Sequence, residues 1–271
     1  MAESPSLGDV DGFVFDVDGT LVHRGPDGEP RLLPGAREVL ERVRASGRPF
    51  VLFTNGSHVH AETMARALRE NGLPVQSDEL LTPVESAITY LRRYHRGRRV
   101  LLFTTEVIRD RIVGAGIDVT ADEDAGVVFV AHVDEIDFAS IERAARAVSA
   151  GAPLLTGSYV RGYAGADGII FSRGAMVTAA IAKVSGARPR VVGKPSRAAV
   201  GELRAHFGFP TERLAVIGDD LDMDIALGHL GGSRTVLVRS GITGKDVLDG
   251  VPERRRPHTV IDGVADLLDW L

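Results

Sequence analysis

Short apolar runs alternate with amphipathic helical segments along almost the whole chain. The apolar runs have the length and the Val, Ile, Leu and Phe content of buried strands: GFVFDV, RPFVLFT, RRVLLFT, GVVFVAHV, APLLTG, RVVG, RLAVIGD and TVLVRSG. Helical patterns lie between them: GAREVLERVRASG, HAETMARALRENG, PVESAITYLRRYH, DFASIERAARAVSAG, GAMVTAAIAKVSG, SRAAVGELRAHFG and VADLLDWL. Apolar strands separated by helices are typical of a parallel sheet covered on both faces. The sequence therefore predicts an α/β fold with a doubly wound parallel sheet.

Composition limits the classes of protein to which the chain can belong. Its 271 residues, 44% of them hydrophobic, provide material for one large domain or two modest ones. The net charge of -5 argues against a nucleic-acid partner. The basic segment RRYHRGRR, residues 92–99, is interpreted as a solvated helix end, with a binding patch as the alternative. Because the chain has no cysteine, disulfides, thiolate metal sites and cysteine nucleophiles are excluded.

No membrane association is expected. The N-terminal segment MAESPSLGDVDG has neither the basic start nor the apolar stretch of a signal peptide. No apolar run approaches the ~20 residues that span a bilayer. We therefore expect a soluble, cytoplasmic protein.

The polar segments that can carry chemistry lie at predicted strand ends, near residues 16, 54, 194 and 219. Ligands of doubly wound sheets bind beyond the carboxyl ends of the strands, so we expect these segments to converge on one site. The stretch from about Pro83 to Gly186 contributes none of them, yet it has strands and helices of its own. We predict a core domain formed by residues 1–81 and 188–271, with a smaller α/β domain of residues 82–187 inserted into it.

The segment FVFDVDGTL places two aspartates at the end of a predicted buried strand. In an extended chain Asp16 and Asp18 lie on the same face, and Gly19 allows a sharp turn after them. Two adjacent carboxylates repel each other and usually need a cation, for which Mg²⁺ is suited because it binds carboxylates together with substrate phosphate. One carboxylate can attack phosphorus while its neighbour transfers a proton. The alternative is an ordinary turn, in which Asp and Gly are common.

The segment VLFTNGS ends a second predicted strand at Thr54, and we expect Asn55 and Gly56 to enter a helix directly. A hydroxyl beside the N–H groups of a helix start can hold a phosphate. An ordinary N-cap without a ligand is equally compatible with these residues.

The segment VVGKPS places Lys194 just after a short apolar run. A lysine at the carboxyl end of a strand can offset the charge of a phosphoryl group and of the attacking carboxylate. The alternative is a surface lysine in a turn, which describes most lysines.

The segment LAVIGDDLDMDIALG ends a further strand at Gly218 and Asp219, and Asp220, Asp222 and Asp224 follow closely. Carboxylates at this density repel one another unless they are solvated or bound to a cation. An acidic first helical turn, which the helix dipole favours, is the alternative for Asp220 and Asp222. It does not account for Asp219 directly at the strand end.

The ordered set DVDGT, TNGS, GKPS and GDDLDMDI resembles the haloacid dehalogenase (HAD) superfamily over essentially the whole chain. Within that superfamily it is similar to the class IIA, NagD-like phosphatases, for which VVGKPS and GD-x-L-x-x-DI are fairly specific. The resemblance implies an Mg²⁺-dependent phosphatase that hydrolyses small-molecule phosphate monoesters through an aspartyl-phosphate.

The resemblance also implies roles for the aspartates. Asp16 is the expected nucleophile and a metal ligand. Asp18 is the expected general acid and base, with its backbone carbonyl on the metal. Asp219 is a further expected ligand, and Asp224 orients metal waters or the lysine. An acidic residue at position 18 indicates a phosphatase, because family ATPases have Thr there.

For the phosphoryl group, the resemblance implies that Thr54 and the amides of Asn55 and Gly56 hold its oxygens. Lys194 would pair with Asp16 and the phosphate.

The insertion of about 100 residues between the Thr54 and Lys194 motifs matches the cap domain of class IIA. In this family a cap loop that precedes an Asp-Gly pair helps to select the substrate. In this chain that loop is TGSYVRGYAGADG. Tyr159, Arg161 and Tyr163 are therefore the candidate substrate-binding residues of the cap. The alternative is that the tyrosines only pack beneath the loop.

Three departures from the family pattern affect the expected substrate rather than the chemistry. Gly56 stands where many relatives have a second Asn, Met223 stands where Thr is usual, and GSY replaces a more polar cap sequence. The identity of the small phosphorylated metabolite therefore stays open. A homodimer formed through the cap is expected from relatives.

Two other classes of protein are compatible with parts of the pattern. A receiver-type signalling module is also phosphorylated on Asp, but it is about half this length and carries that Asp on a middle strand. A phosphate-binding or regulatory protein on a HAD scaffold with little turnover is the second alternative.

Overall fold

The computed structural model describes residues 7–165, 168–243 and 248–271. Residues 1–6 of the segment compared with signal peptides lie outside the described residues, as do Ala166 and Asp167 of the predicted cap loop. The strands, in chain order, are β1 (Gly12–Phe15), β2 (Val22–Arg24), β3 (Pro30–Leu32), β4 (Phe50–Phe53), β5 (Leu80–Leu81), β6 (Val100–Phe103), β7 (Val119–Thr120), β8 (Val127–Val130), β9 (Leu154–Thr156), β10 (Gly162–Gly165), β11 (Gly168–Phe171), β12 (Arg190–Val191), β13 (Leu214–Gly218), β14 (Arg234–Val238) and β15 (Thr259–Ile261). The helices are α1 (Ala36–Ala45), α2 (Ala61–Glu70), α3 (Pro83–Tyr94), α4 (Glu106–Gly114), α5 (Phe138–Ser149), α6 (Arg173–Ser185), α7 (Arg197–Phe207) and α8 (Ala226–Gly231).

A six-stranded sheet in the order β15-β14-β13-β1-β4-β5 forms the centre of the larger domain, and all its strands are parallel. The central strands β1, β4 and β13 are buried on both faces, as their unbroken apolar sequences predict. Phe13 and Phe15 pack on one face with residues of α1 and α2, whereas Val14 packs on the other with residues of α7 and α8. The predicted doubly wound α/β architecture is confirmed.

A five-stranded parallel sheet in the order β12-β9-β8-β6-β7 forms the centre of the smaller domain. Helices α3 and α4 pack on one face and α5 and α6 on the other. The last strand of this sheet is β12, at Arg190–Val191, so the sheet extends beyond residue 187, where we predicted the second domain to end. The boundary differs because β12 pairs with β9, and a strand of two residues does not indicate in its own sequence which sheet it will join.

A smaller sheet in the order β11-β10-β2-β3 connects the two domains. The β2–β3 hairpin follows the DVDGTL segment, and Arg24 of β2 pairs in parallel with Gly165 of β10. This sheet brings the β10–β11 hairpin of the inserted domain over the carboxyl edge of the large sheet.

The helix predictions differ from the structure in three places. Helices α4 and α8 were not anticipated, and Val264–Asp269 forms a 3₁₀ helix. In α8 the short length leaves too few residues for a helical period to be recognised. In the part of the chain that the structure describes, no helix has the length and apolar character needed to cross a membrane.

Candidate active site

Three of the predicted site residues follow parallel strands of the large sheet directly. Asp16 follows β1, Thr54 follows β4 and Asp219 follows β13, so all three lie at the same carboxyl edge. The backbone continues the strand pairing at this edge, since the Asp16 N–H donates to the Ile217 carbonyl at 2.8 Å. Neighbouring parallel strands therefore bring these side chains together, as predicted.

Lys194 reaches the same site from the other domain. It comes just after the short strand β12, and β12 belongs to the five-stranded sheet rather than to the large sheet. After β12 the chain crosses between the domains, and the Gly193 N–H donates to the Gly157 carbonyl at 3.1 Å. Lys194 Nζ then donates to Asp16 Oδ1 at 2.6 Å and to Asp224 Oδ1 at 2.7 Å.

Asp16, Asp219 and Asp224 form a group that we call the acidic cluster. All three are buried, and one carboxylate oxygen from each lies within 4.8 Å of the others. The side chains of Lys194 and Asp224 are each 1% exposed and that of Asp16 is 9% exposed. Three carboxylates and one ammonium leave a formal charge of -2, which a buried site retains only with a cation or with bound protons.

The pKa values of the acidic cluster reflect this excess of negative charge. Burial raises the pKa of Asp16 despite the nearby Lys194, and it raises the pKa of Asp219 well above the usual value. Burial likewise raises the pKa of Asp224 to about 7. Burial alone would lower the pKa of Lys194, but Asp16 and Asp224 together raise it. Lys194 therefore stays charged, while the carboxyl groups outnumber the cations available to them.

Asp219 is placed by a close backbone approach. Its Oδ2 accepts a hydrogen bond from the Ile242 N–H at 2.7 Å. A Cβ added at Gly19 or at Gly241 would overlap the Asp219 carboxylate, and Gly19 has a φ of +93°. Glycine at both positions is therefore required by the space that this carboxylate occupies.

The other acidic residues of this segment have local roles. Asp220 Oδ1 accepts hydrogen bonds from the N–H groups of Asp222 at 2.7 Å and Met223 at 3.2 Å, so Asp220 caps the helical turn Leu221–Ile225. Asp222 pairs with Arg255 at the surface. The alternative of an acidic helix start thus accounts for these two residues, whereas Asp224 belongs to the buried cluster.

Asp18 is two residues beyond Asp16, and its carboxylate does not belong to the acidic cluster. Asp18 Oδ1 accepts a hydrogen bond from Arg24 Nε at 2.7 Å, and both side chains are mostly buried. Arg24 was not predicted. The sequence feature that could have identified Arg24 is a basic residue on the short hairpin that follows the DVDG turn.

The TNGS segment is a loop, and the prediction that Asn55 and Gly56 enter a helix directly is wrong. Helix α2 begins only at Ala61, because residues 54–60 cross the carboxyl edge first. Thr54 is buried, and its Oγ1 accepts a hydrogen bond from the Gly56 N–H at 2.9 Å. Because this contact uses the oxygen as acceptor, the Thr54 hydroxyl keeps its own hydrogen, which can donate to a ligand oxygen.

The two departures near this loop contact their neighbours directly. Asn55 Nδ2 donates to Met223 Sδ at 2.6 Å. A Cβ at Gly56 would lie 2.9 Å from Met64 Cε, so the Met64 side chain occupies the space beside Gly56.

A cavity of about 420 Å³ opens from Asp16 and Thr54 towards the cap. Of the three predicted cap residues, only Tyr163 lines it. Burial raises the pKa of the Tyr163 hydroxyl, and the charge of Asp18 raises it further. Tyr159 and Arg161 instead line a neighbouring cavity that includes Lys194, and the Arg161 guanidinium stacks 5.5 Å from the Phe171 ring centre.

Two histidines that were not predicted line the same cavity as Tyr163. His58 lies in the loop after Thr54, and His132 follows β8 of the cap. For His132 the available signal was its position at a strand's carboxyl end. For His58 no local signal separates it from His60, two residues later.

Comparison with known proteins agrees with this geometry. Family descriptions of a haloacid dehalogenase-like hydrolase and of a HAD-hydrolase-like protein match residues 13–118 and 191–267. The chain is 28% identical over 265 residues to the ribonucleotide monophosphatase NagD of Escherichia coli K12. The alignment covers 95% of this chain and 98% of that protein. It is 27% identical over 267 residues to a dihydroxyacetone phosphatase of Corynebacterium glutamicum, with coverages of 95% and 90%.

A solved structure shows the same similarity. The p-nitrophenyl phosphatase from Archaeoglobus fulgidus superposes with a TM-score of 0.84 and 27% identity, covering 97% of this chain and all of the other. The chain belongs to the HAD superfamily, whose Rossmann-like core and cap it shares. Within that superfamily it is a NagD-like phosphatase of class IIA, and it hydrolyses phosphate monoesters.

Proposed function

We propose that this phosphatase hydrolyses small phosphorylated metabolites with Mg²⁺, through an aspartyl-phosphate intermediate on Asp16. The observation that carries the proposal is the buried contact of Lys194 Nζ with Asp16 Oδ1 at 2.6 Å, inside a group of three carboxylates. A purely structural ion pair needs one carboxylate beside Lys194. A site for a phosphoryl group and a divalent cation uses the lysine together with all three carboxylates.

The acidic cluster fits Mg²⁺. Its donors are hard carboxylate oxygens grouped within 4.8 Å, and its formal charge of -2 after pairing with Lys194 equals that of a divalent cation in magnitude. Asp16, Asp219 and the backbone carbonyl of Asp18 would hold the ion, and Asp224 would orient its waters and Lys194. When bound, Mg²⁺ supplies positive charge that offsets the phosphoryl oxygens.

The chain's own residues would carry out two displacements. In the first, Asp16 attacks phosphorus, the bond to the leaving oxygen breaks, and Asp18 gives that oxygen a proton. In the second, Asp18 accepts a proton from water, which attacks phosphorus and releases phosphate from Asp16. Thr54, the Asn55 amide and Lys194 hold the phosphoryl oxygens during both steps, and the Gly56 N–H, which donates to Thr54 Oγ1, orients that hydroxyl.

The test is Mg²⁺-dependent release of phosphate from p-nitrophenyl phosphate. We expect Asp16→Asn to abolish turnover, because an amide oxygen cannot act as the nucleophile. Asp222→Asn is the matched control, since Asp222 pairs with Arg255 at the surface. Full activity of Asp16→Asn would rule out the aspartyl-phosphate, and full activity after removal of divalent ions would rule out the metal.

We also propose that residues 82 to about 191 form the cap domain and that two copies associate through it. Helices α5 and α6 pack together and leave Phe138 90% exposed and Met176 57% exposed. These apolar side chains are the proposed contact between the two copies.

Sedimentation tests this association: the wild-type protein should be a dimer, and Phe138→Glu should dissociate it. Val107→Glu, on the opposite face of the same sheet, should leave it intact. A wild-type monomer would contradict this assignment.

A further inference from the structure

The cavity above Asp16 has room for more than a phosphoryl group. Its volume of about 420 Å³ lies in the ~300–1,000 Å³ range of cavities that hold small ligands. Under the proposed function, Asp16 and Thr54 take the phosphoryl end. The leaving group of the substrate then occupies the part of the cavity between the TNGS loop and the cap.

Two histidine rings lie in contact with each other on the wall of that part. His58 comes from the core and His132 from the cap, with ring centres 5.6 Å apart and ring planes at 56°. The cap also holds the backbone of the first histidine, because Thr105 Oγ1 donates to the His58 carbonyl at 3.0 Å. Within the described residues, the His58 ring has no hydrogen-bond partner, and His132 Nε2 lies 3.3 Å from Asp134 Oδ1.

The charged groups around the histidines already neutralise one another. Arg24 Nε donates to Asp18 at 2.7 Å, and Arg173 Nη1 donates to Asp134 Oδ1 at 3.3 Å. A leaving group with its own carboxylate would find both guanidinium groups paired, and it would meet two carboxylates along the same wall. The wall therefore suits a neutral leaving group.

The His58 ring, one of the hydrogen-bonding groups that remain, is neutral. Although part of the His58 side chain reaches solvent, burial lowers its pKa, and the charges of His132 and Arg24 lower it further. A neutral imidazole offers one donor and one acceptor. Two other lining residues, Ser158 and Asn55, have buried oxygens without a hydrogen-bond partner in the described structure. Hydroxyl groups, which both donate and accept, match such a wall.

We propose that His58 and His132 are specificity-determining residues that hydrogen-bond hydroxyl groups of the leaving group. The substrate is then the phosphate monoester of a small polyol or sugar, rather than a phosphorylated carboxylic acid. This assignment rests on the proposed phosphatase reaction at Asp16.

Three substrates with small leaving groups test the chemistry. Glycerol 3-phosphate carries two hydroxyls, n-propyl phosphate has the same carbon chain without them, and phosphoglycolate carries a carboxylate. We expect kcat/KM for glycerol 3-phosphate to exceed each of the others by about tenfold or more, because an analogue that lacks a hydroxyl leaves buried partners unpaired. Equal values for n-propyl phosphate, or a preference for phosphoglycolate, would overturn the polyol assignment.

Variants test the two histidines. In His58→Ala and in His132→Ala, the ratio of kcat/KM for glycerol 3-phosphate to that for n-propyl phosphate should fall to within about threefold of one, since the lost contact is made only to hydroxyls. His58→Gln, which keeps a neutral donor and acceptor, should retain part of the ratio. His60→Ala is the matched control, because His60 lies in the same loop and does not line the cavity. An unchanged ratio in both alanine variants would overturn the role of the histidines.

A binding measurement separates this inference from the proposed reaction. Calorimetry with Asp16→Asn should show tighter binding of glycerol 3-phosphate than of n-propyl phosphate, and His58→Ala in that background should remove the difference. If the wild-type protein releases no phosphate from p-nitrophenyl phosphate, the proposed reaction fails on that result alone. The binding difference then still decides whether the histidines recognise hydroxyls.

Discussion

Replacing Lys194 by methionine is the perturbation that probes the acidic cluster most directly. Methionine keeps a long unbranched side chain in a site where the lysine side chain is only 1% exposed, and it removes the charge. The change takes away the contacts at 2.6 Å to Asp16 and at 2.7 Å to Asp224. Three buried carboxyl groups are then left without a side-chain cation.

The size of the effect follows from how those carboxyl groups can respond. Removing one partner of a buried ion pair destabilises a protein by about 3–5 kcal/mol when the remaining charge stays uncompensated. In this cluster the carboxyl groups can take up protons instead, because burial already raises the pKa of Asp224 to about 7. We therefore expect a loss of about 3 kcal/mol at pH 7, the lower end of that range. The loss should increase at pH 8, where holding those protons is harder.

Urea unfolding of the metal-free protein measures this loss. The single tryptophan, Trp270, packs against the same core cluster as β1, so its fluorescence reports on the domain that contains the site. Lys183→Met is the matched control, because Lys183 is exposed on α6 and its loss should change stability by no more than about 0.5 kcal/mol. Lys194→Met should also lose phosphatase activity. If its stability at pH 8 equals that of the wild type, the charges do not interact as the geometry indicates.

Four further outcomes follow from the site. Because burial raises the carboxyl pKa values of the acidic cluster, the folded metal-free protein binds more protons than the unfolded chain, so its melting temperature should fall as pH rises from 5 to 8. Mg²⁺ should restore more stability at pH 8 than at pH 5 in a thermal-shift assay, and an equal Mg²⁺ effect at both would count against the cluster as the metal site. Gly241→Ala should weaken Mg²⁺ binding in calorimetry, because the added Cβ overlaps Asp219, whereas Gly201→Ala in open space should not. Tyr163→Phe should change kcat/KM and Tyr159→Phe should not, since only the first lines the cavity; the reverse result would contradict the placement of the cap loop.

Much of the site could be predicted because its signals are local. A buried strand that ends in a polar residue is recognisable in a few letters, and parallel strands bring such ends to one edge of the sheet. Asp16, Thr54 and Asp219 follow this rule, and the structure brings them together. The family motifs extend the same local information to Lys194 and Asp224.

The cap loop shows where a local pattern was insufficient. Tyr159, Arg161 and Tyr163 are spaced by two, as residues on one face of a strand would be. The structure separates them because β10 begins only at Gly162, so the first two precede the strand and line a different cavity.

By itself the sequence determined the α/β class, the order of the motifs and the residues able to bind a phosphoryl group and a cation, because strand burial and motif chemistry are short-range properties. Only the tertiary structure decided that Lys194 reaches Asp16 from the sheet of the other domain. It also decided that Arg24 pairs with Asp18, and that the His58 and His132 rings meet at the cavity wall. The Lys194–Asp16 and His58–His132 pairs join distant segments, and their contacts depend on how the two domains pack. Arg24 and Asp18 are only six residues apart and meet through the turn between them.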